Sequence, residues 1–273
     1  MYVKTRHGLS LNGAWQMQIA LFAGWIIPCA IVFLVSGINL LQFPEILSWL
    51  YTLGGVSVIV CALVRKRDNF QFMPRLYMTG ELFLLCVSMA IALVMVKDGL
   101  GSILPLPVWS DMSFTSIRIG SPYSIICTVM LMAMMEEILF RGIIMEALLH
   151  RYSSGVALVQ SALLYMLAHP DPSQMPGAFM MGLVTGAFYL RFRDLCPSML
   201  VHVAYNGASA LLLNVGSHHF TQHSPVMYYL MVAGCAGALI AGYFLLQRIS
   251  PPKSTAKAAP LPGKPLLHTE SSV

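Results

Sequence analysis

From Tyr123 to Leu149 the chain is apolar for long enough to cross a hydrocarbon core, yet midway it carries Met134-Met135-Glu136-Glu137-Ile138-Leu139-Phe140-Arg141. Each ionisable group at that depth costs roughly 2.5–3.5 kcal/mol on insertion scales, so such groups face a protein interior or a wet cavity. An isolated lipid-exposed helix cannot hold this sequence; it needs neighbours. Seven other apolar runs can supply them, at about 14–40, 46–64, 76–96, 155–169, 177–190, 197–213 and 226–246. The expected fold is therefore all-α, a polytopic membrane helical bundle of about eight transmembrane helices. Composition agrees: only 10% of the residues are charged, against about 25% in a soluble domain.

Charge placement sets the expected topology. With the amino terminus inside, 13 of the 16 Lys and Arg fall in cytoplasmic segments, Arg65-Lys66-Arg67 prominent among them. Only Lys97 and Arg118 fall outside, and Arg141 lies within a span. This asymmetry puts both termini in the cytoplasm. It also accounts for the net charge of +5 without a nucleic-acid partner. The six cysteines are scattered singly, with neither a disulfide framework nor a zinc-finger spacing. The first run is too long for a cleaved signal and lacks a small-residue cleavage site, so it reads as a retained span.

Three parts are expected: three helices and an outer loop over 1–122, a helical core over 123–249, and a disordered cytoplasmic tail over 250–273. The outer loop is drawn from Lys97 to Pro122. Glu81 is placed about one turn inside its span, where it can snorkel or line the cavity. Glu146 and His150 approach the cytoplasmic boundary and are read as solvated. His218, His219 and His223 receive no role.

Three polar pairs interrupt the later spans at helical spacing: Glu137 with Arg141, Tyr165 with His169, and His202 with Asn206. Each i,i+4 pair shares one helix face. Glu136 lies about 100° around the helix from Glu137, so Glu137–Arg141 is the expected structural pair and Glu136 the free acid. Three helices could thus present a carboxylate, two imidazoles and an amide to one interior site. A carboxylate and a histidine sharing a water form a general base. A second histidine and an Asn amide suit the oxyanion of a tetrahedral intermediate. No serine or cysteine stands in an activated motif, so water is the favoured nucleophile and peptide hydrolysis fits every member.

Two other readings use the same residues. Glu136, His169 and His202 form an N/O set like that of a catalytic zinc, although no HExxH motif is present and the three lie on separate helices; the version with no cofactor is favoured. A membrane transporter or proton relay without enzymatic activity would favour broken helices at matching places in two halves, a pairing absent here. Taken singly, the pieces have plain roles too: Glu137–Arg141 as a helix lock, His169 as an interfacial group, and His202–Asn206 as interhelical glue.

EExxxR, then an aromatic residue four before a histidine, then HxxxN, in this order across 123–213 of an eight-span chain, resembles the CPBP family. That family comprises the CAAX prenyl proteases and the bacteriocin-processing or immunity-type intramembrane proteases. The resemblance implies an intramembrane endopeptidase in which Glu136 and His169 activate water. His202 and Asn206 would hold the oxyanion, with Glu137 and Arg141 supporting. Tyr165 departs from the usual phenylalanine while keeping an aromatic wall. The implied partners are the lipid bilayer and a membrane-delivered peptide or protein, and the short loops suggest a bacterial inner-membrane protein. One feature strains this picture: the span limits put His169 near the outer end of its helix and His202 near the inner end of its own, with Glu136 between them.

Overall fold

The computed structural model describes residues 9–38, 44–65, 77–104, 106–107, 130–169, 171–215 and 224–251. Among them every regular element is helical, in eight helices. These are α1 Leu11–Ser36, α2 Pro44–Arg65, α3 Gly80–Ile103, α5 Ser154–Leu167, α6 Met175–Phe192, α7 Leu195–Val215 and α8 Pro225–Arg248. The remaining helix, α4, is continuous but changes its winding, from Met132–Glu137 through a π-helical Ile138–Met145 to Glu146–Leu149. The protein is a helical membrane bundle. By length and composition α1, α3 and α8 can each cross a bilayer. Most of α1 and α8 is exposed apolar surface, as lipid-facing helices require.

Local chemistry sets the helix ends. The Ser10 hydroxyl accepts from the Gly13 N–H at 3.1 Å and starts α1. That helix runs through Pro28 and stops at Gly37, whose φ of 71° lets its N–H reach back to the Phe33 carbonyl at 2.8 Å. The Thr79 side chain caps α3 on the Leu82 N–H at 3.2 Å. Glu81 lies in the first turn of α3, exposed, where its charge complements the helix dipole; it does not line the interior. Asp194 caps α7 through the Cys196 N–H at 3.1 Å and also accepts from the Tyr77 N–H, tying the start of α3 to that of α7.

At its other end α3 continues past the expected start of the outer loop at Lys97, because the packing accommodates its charges. The Tyr228 hydroxyl donates to Asp98 at 2.6 Å from α8. The Lys97 stem lies against Gly177 of α6, where an added Cβ would come within 2.7 Å of Cγ. The rest of that loop (105 and 108–122), the first residues of the next expected span (123–129), the 252–273 stretch of the expected tail, and His218, His219 and His223 lie outside the described residues.

The bundle is organised around α4. It packs on α2, α5 and α7, while α5 lies along α6, α3 along α7 and α8, and α1 along α2. Small residues bring backbones close where lipid gives helices no hydrophobic reason to associate. A Cβ on Gly24 would stand 3.0 Å from the Gly54 Cα, and one on Gly182 would stand 2.8 Å from the Ala162 Cα. Glu146 is not simply solvated. It accepts from the Tyr189 hydroxyl at 2.6 Å and from Arg193 at 2.8 Å, with His150 at 3.6 Å, and so ties α4 to the end of α6.

Candidate active site

The winding of α4 changes directly after the two glutamates. A π-helical turn disturbs the regular carbonyl-to-amide ladder and is frequent at functional sites. Here α5 supports it: the Ser161 hydroxyl donates to the Phe140 carbonyl at 2.8 Å, with both groups buried. Within the widened segment Arg141 is fully buried, and its Nη1 stands 3.1 Å from Glu137 Oε1. The guanidinium also donates to the Gly182 carbonyl at 3.4 Å and lies 4.7 Å from the centroid of the Tyr165 ring. The expected i,i+4 pair is present, held on three sides by α4, α6 and α5.

Glu137 does more than pair with this arginine. Its Oε1 lies 2.8 Å from His202 Nδ1, on α7. An ionised carboxylate held by Arg141 can only accept, so Nδ1 carries the proton. That bond fixes the ring, as an outer carboxylate fixes a working histidine elsewhere. The other ring nitrogen, Nε2, points to the first glutamate: it is 3.6 Å from Glu136 Oε2. The two adjacent carboxylates therefore straddle one imidazole, each facing a different nitrogen. The rotation of about 100° between neighbouring residues on a helix makes this arrangement achievable.

Tyr165 stands inside this group. Its hydroxyl donates to Glu136 Oε2 at 3.0 Å and lies 3.2 Å from His202 Nε2. Its ring meets Phe140 edge-on at 5.2 Å, His169 at 4.8 Å and His202 at 5.8 Å between centroids. One aromatic side chain thus spans the difference in depth between the two histidines. His169 follows α5 directly, half-buried, and its Nδ1 lies 3.0 Å from the Tyr165 carbonyl oxygen. A carbonyl only accepts, so Nδ1–H donates and Nε2 keeps the lone pair of the neutral ring. Asn206, one turn beyond His202 on α7, is buried.

Glu136 and His202 meet directly across α4 and α7, whereas His169 touches the group through the face of Tyr165. The residue unforeseen from sequence is Tyr51 of α2. Its hydroxyl is buried close to Glu136 without forming a hydrogen bond of ordinary geometry. Nothing in the apolar run around Tyr51 marks it, since its relevance comes only from the packing of α2 on α4.

Among the described residues no three His, Cys, Asp or Glu side chains converge closely enough to hold a metal ion. The Tyr165 ring stands beside both His169 and His202, and its hydroxyl lies within hydrogen-bonding distance of both Glu136 and His202.

Residues 118–208 match the family model described as type II CAAX prenyl endopeptidase Rce1-like. No curated protein and no solved structure gives a significant match to the chain. The matched segment contains the whole EExxxR sequence, Tyr165, His169, His202 and Asn206. Through that segment the chain is similar to the type II CAAX prenyl endopeptidases.

Proposed function

We propose that the protein hydrolyses a peptide bond of a membrane-delivered protein or peptide, using a water activated by Glu136 and His169. His202 and Asn206 are the donors to the oxyanion. The observation that carries this reading is the pair of buried carboxylates flanking His202, at 3.6 Å for Glu136 and 2.8 Å for Glu137. A structural lock needs one carboxylate for Arg141; the second, on the far side of an imidazole, is costly to bury unless it is used.

In this mechanism the water oxygen bonds to the carbonyl carbon as Glu136 takes the water proton. His169 supports the same water through its unprotonated Nε2. The carbonyl electron pair moves onto oxygen, where the Nε2–H of a protonated His202 and the Asn206 amide stabilise it. Collapse breaks the C–N bond, and Glu136 returns its proton to the leaving amine. Glu137 and Arg141 keep His202 oriented. We further place both termini in the cytoplasm of a bacterial inner membrane, on the Lys and Arg asymmetry.

The test compares peptide and membrane-substrate cleavage by the detergent-solubilised wild type, Glu136→Gln and His169→Ala, with and without a strong chelator. The proposal expects cleavage in wild type, loss in both variants and no effect of the chelator. Cleavage abolished by the chelator and restored by zinc would replace the glutamate mechanism by a metal one. Variants that cut like wild type would refute the site.

A further inference from the structure

The Tyr165 hydroxyl lies at a position where a phenylalanine ring would fill the wall equally well, and it is neither solvated nor spare. It is 3.0 Å from Glu136 Oε2 and 3.2 Å from His202 Nε2, all three groups buried. Counting protons restricts what this chain can be. His202 Nδ1 faces the Arg141-bound Glu137 and carries a proton. The two remaining contacts, from Nε2 to the hydroxyl and from the hydroxyl to Oε2, each need one proton. Two arrangements satisfy both. In one, Nε2–H donates to the phenolic oxygen and the phenolic O–H donates to an ionised Glu136. In the other, protonated Glu136 donates to the phenolic oxygen and the phenolic O–H donates to a neutral His202.

We propose that the Tyr165 hydroxyl is a proton relay that joins Glu136 to His202 and arms both in one step. In the shift from the neutral to the charged arrangement, the Glu136 Oε2–H bond breaks as a new O–H bond forms on Tyr165. The original Tyr165 O–H bond breaks as an N–H bond forms on His202 Nε2. One positive charge moves from one end of the chain to the other and no proton is lost to solvent. The products are the two species hydrolysis requires: a carboxylate base and a cationic oxyanion donor. The charged state is balanced within the site, with Glu136 and Glu137 against His202 and Arg141. Glu136 Oε2 and His202 Nε2 are 3.6 Å apart, too far for a direct hydrogen bond, whereas the hydroxyl lies within hydrogen-bonding distance of both. The other polar groups facing the relay are Tyr51 from α2 and His169 beyond α5.

The catalytic consequence rests on the hydrolytic reading above, so the test has one arm that needs no substrate. Tyr165→Phe keeps the ring against Phe140, His169 and Arg141 and removes only the hydroxyl. With a cleaved peptide, kcat should fall on the order of 10²-fold with KM unchanged, the loss typical of a removed proton-transfer group. Fluorinated tyrosines placed at position 165 should give kcat values that follow phenol acidity, a dependence that a packing role would not produce. Without substrate, infrared difference spectra of the purified protein should show Glu136 carboxyl bands, identified by their loss in Glu136→Gln, displaced in Tyr165→Phe.

Wild-type cleavage with an unaltered kcat in Tyr165→Phe would overturn the relay and leave hydrolysis standing. Displaced Glu136 bands in a protein that cleaves nothing would support the proton link while removing its catalytic use. Bands identical in wild type and Tyr165→Phe would overturn the relay outright.

Discussion

Replacing Arg141 by Met removes the charge while keeping a long, flexible stem in a fully enclosed site. Both Arg141 and Glu137 have side-chain exposure of 0%, so the carboxylate, left with His202 Nδ1 as its partner, cannot reach water without displacing helices. Breaking a buried pair in this way costs about 3–5 kcal/mol, most of it the penalty of an uncompensated charge. That is roughly two to nearly four orders of magnitude in the folded-to-unfolded ratio. The guanidinium also contributes a cation–π contact to Tyr165, about 0.5–2 kcal/mol in desolvated settings and part of the same loss. The double variant Glu137→Gln/Arg141→Met leaves no net charge behind and should be at least about 1 kcal/mol more stable than Arg141→Met alone. Equilibrium unfolding by sodium dodecyl sulfate in mixed micelles measures both. Arg141→Met within about 1 kcal/mol of wild type, or a double variant equal to the sum of the singles, would refute the view of this pair as a desolvated, coupled unit.

Three further outcomes follow from named contacts. Gly182→Ala would push a methyl to 2.8 Å from the Ala162 Cα and move the carbonyl that Arg141 uses, so thermal unfolding should register a loss of about 1–3 kcal/mol. Ser161→Ala would leave the Phe140 carbonyl of the π-helical segment without its side-chain donor; about 1–3 kcal/mol should be lost in the same assay. Asn206→Ala should lower kcat by roughly 10²–10³-fold with little change in KM, as expected for an oxyanion donor, and steady-state kinetics on a cleaved peptide would show it.

The features legible in the sequence are those carried by spacing within one helix. The cost of charge in an apolar run marks Glu136, Glu137 and Arg141, and i,i+4 spacing pairs Glu137 with Arg141 and sets Asn206 one turn from His202. Helix positions were also legible, because lipid-length apolar runs bounded by Ser, Thr, Gly and Pro leave few alternatives. What spacing cannot show is how side chains meet across helices. The bond from Glu137 to His202 Nδ1 joins α4 to α7, and it makes the supposed lock part of the site. The π-helical winding, with Ser161 of α5 bonded to its Phe140 carbonyl, is not anticipated by a uniform 3.6-residue turn.

The difference in depth between His169 and His202 was visible in the sequence, but its resolution through the Tyr165 ring was not. A residue that reads as part of an aromatic wall places its hydroxyl within hydrogen-bonding distance of two ionisable groups. The carboxyl-terminal boundary of α3 was misjudged at Lys97 for a related reason: charge usually marks a helix end, yet Asp98 and Lys97 each find a neighbour within the bundle.

The central claim is that Glu136 activates a water that attacks the substrate carbonyl directly. Single-turnover cleavage in oxygen-18 water, with enzyme in excess over a peptide substrate, tests it most directly when the new carboxylate is examined by mass spectrometry. The account predicts one labelled oxygen in the first-turnover product of the wild type and no product from Glu136→Gln. An unlabelled first-turnover product, or cleavage by Glu136→Gln at the wild-type rate, would contradict it.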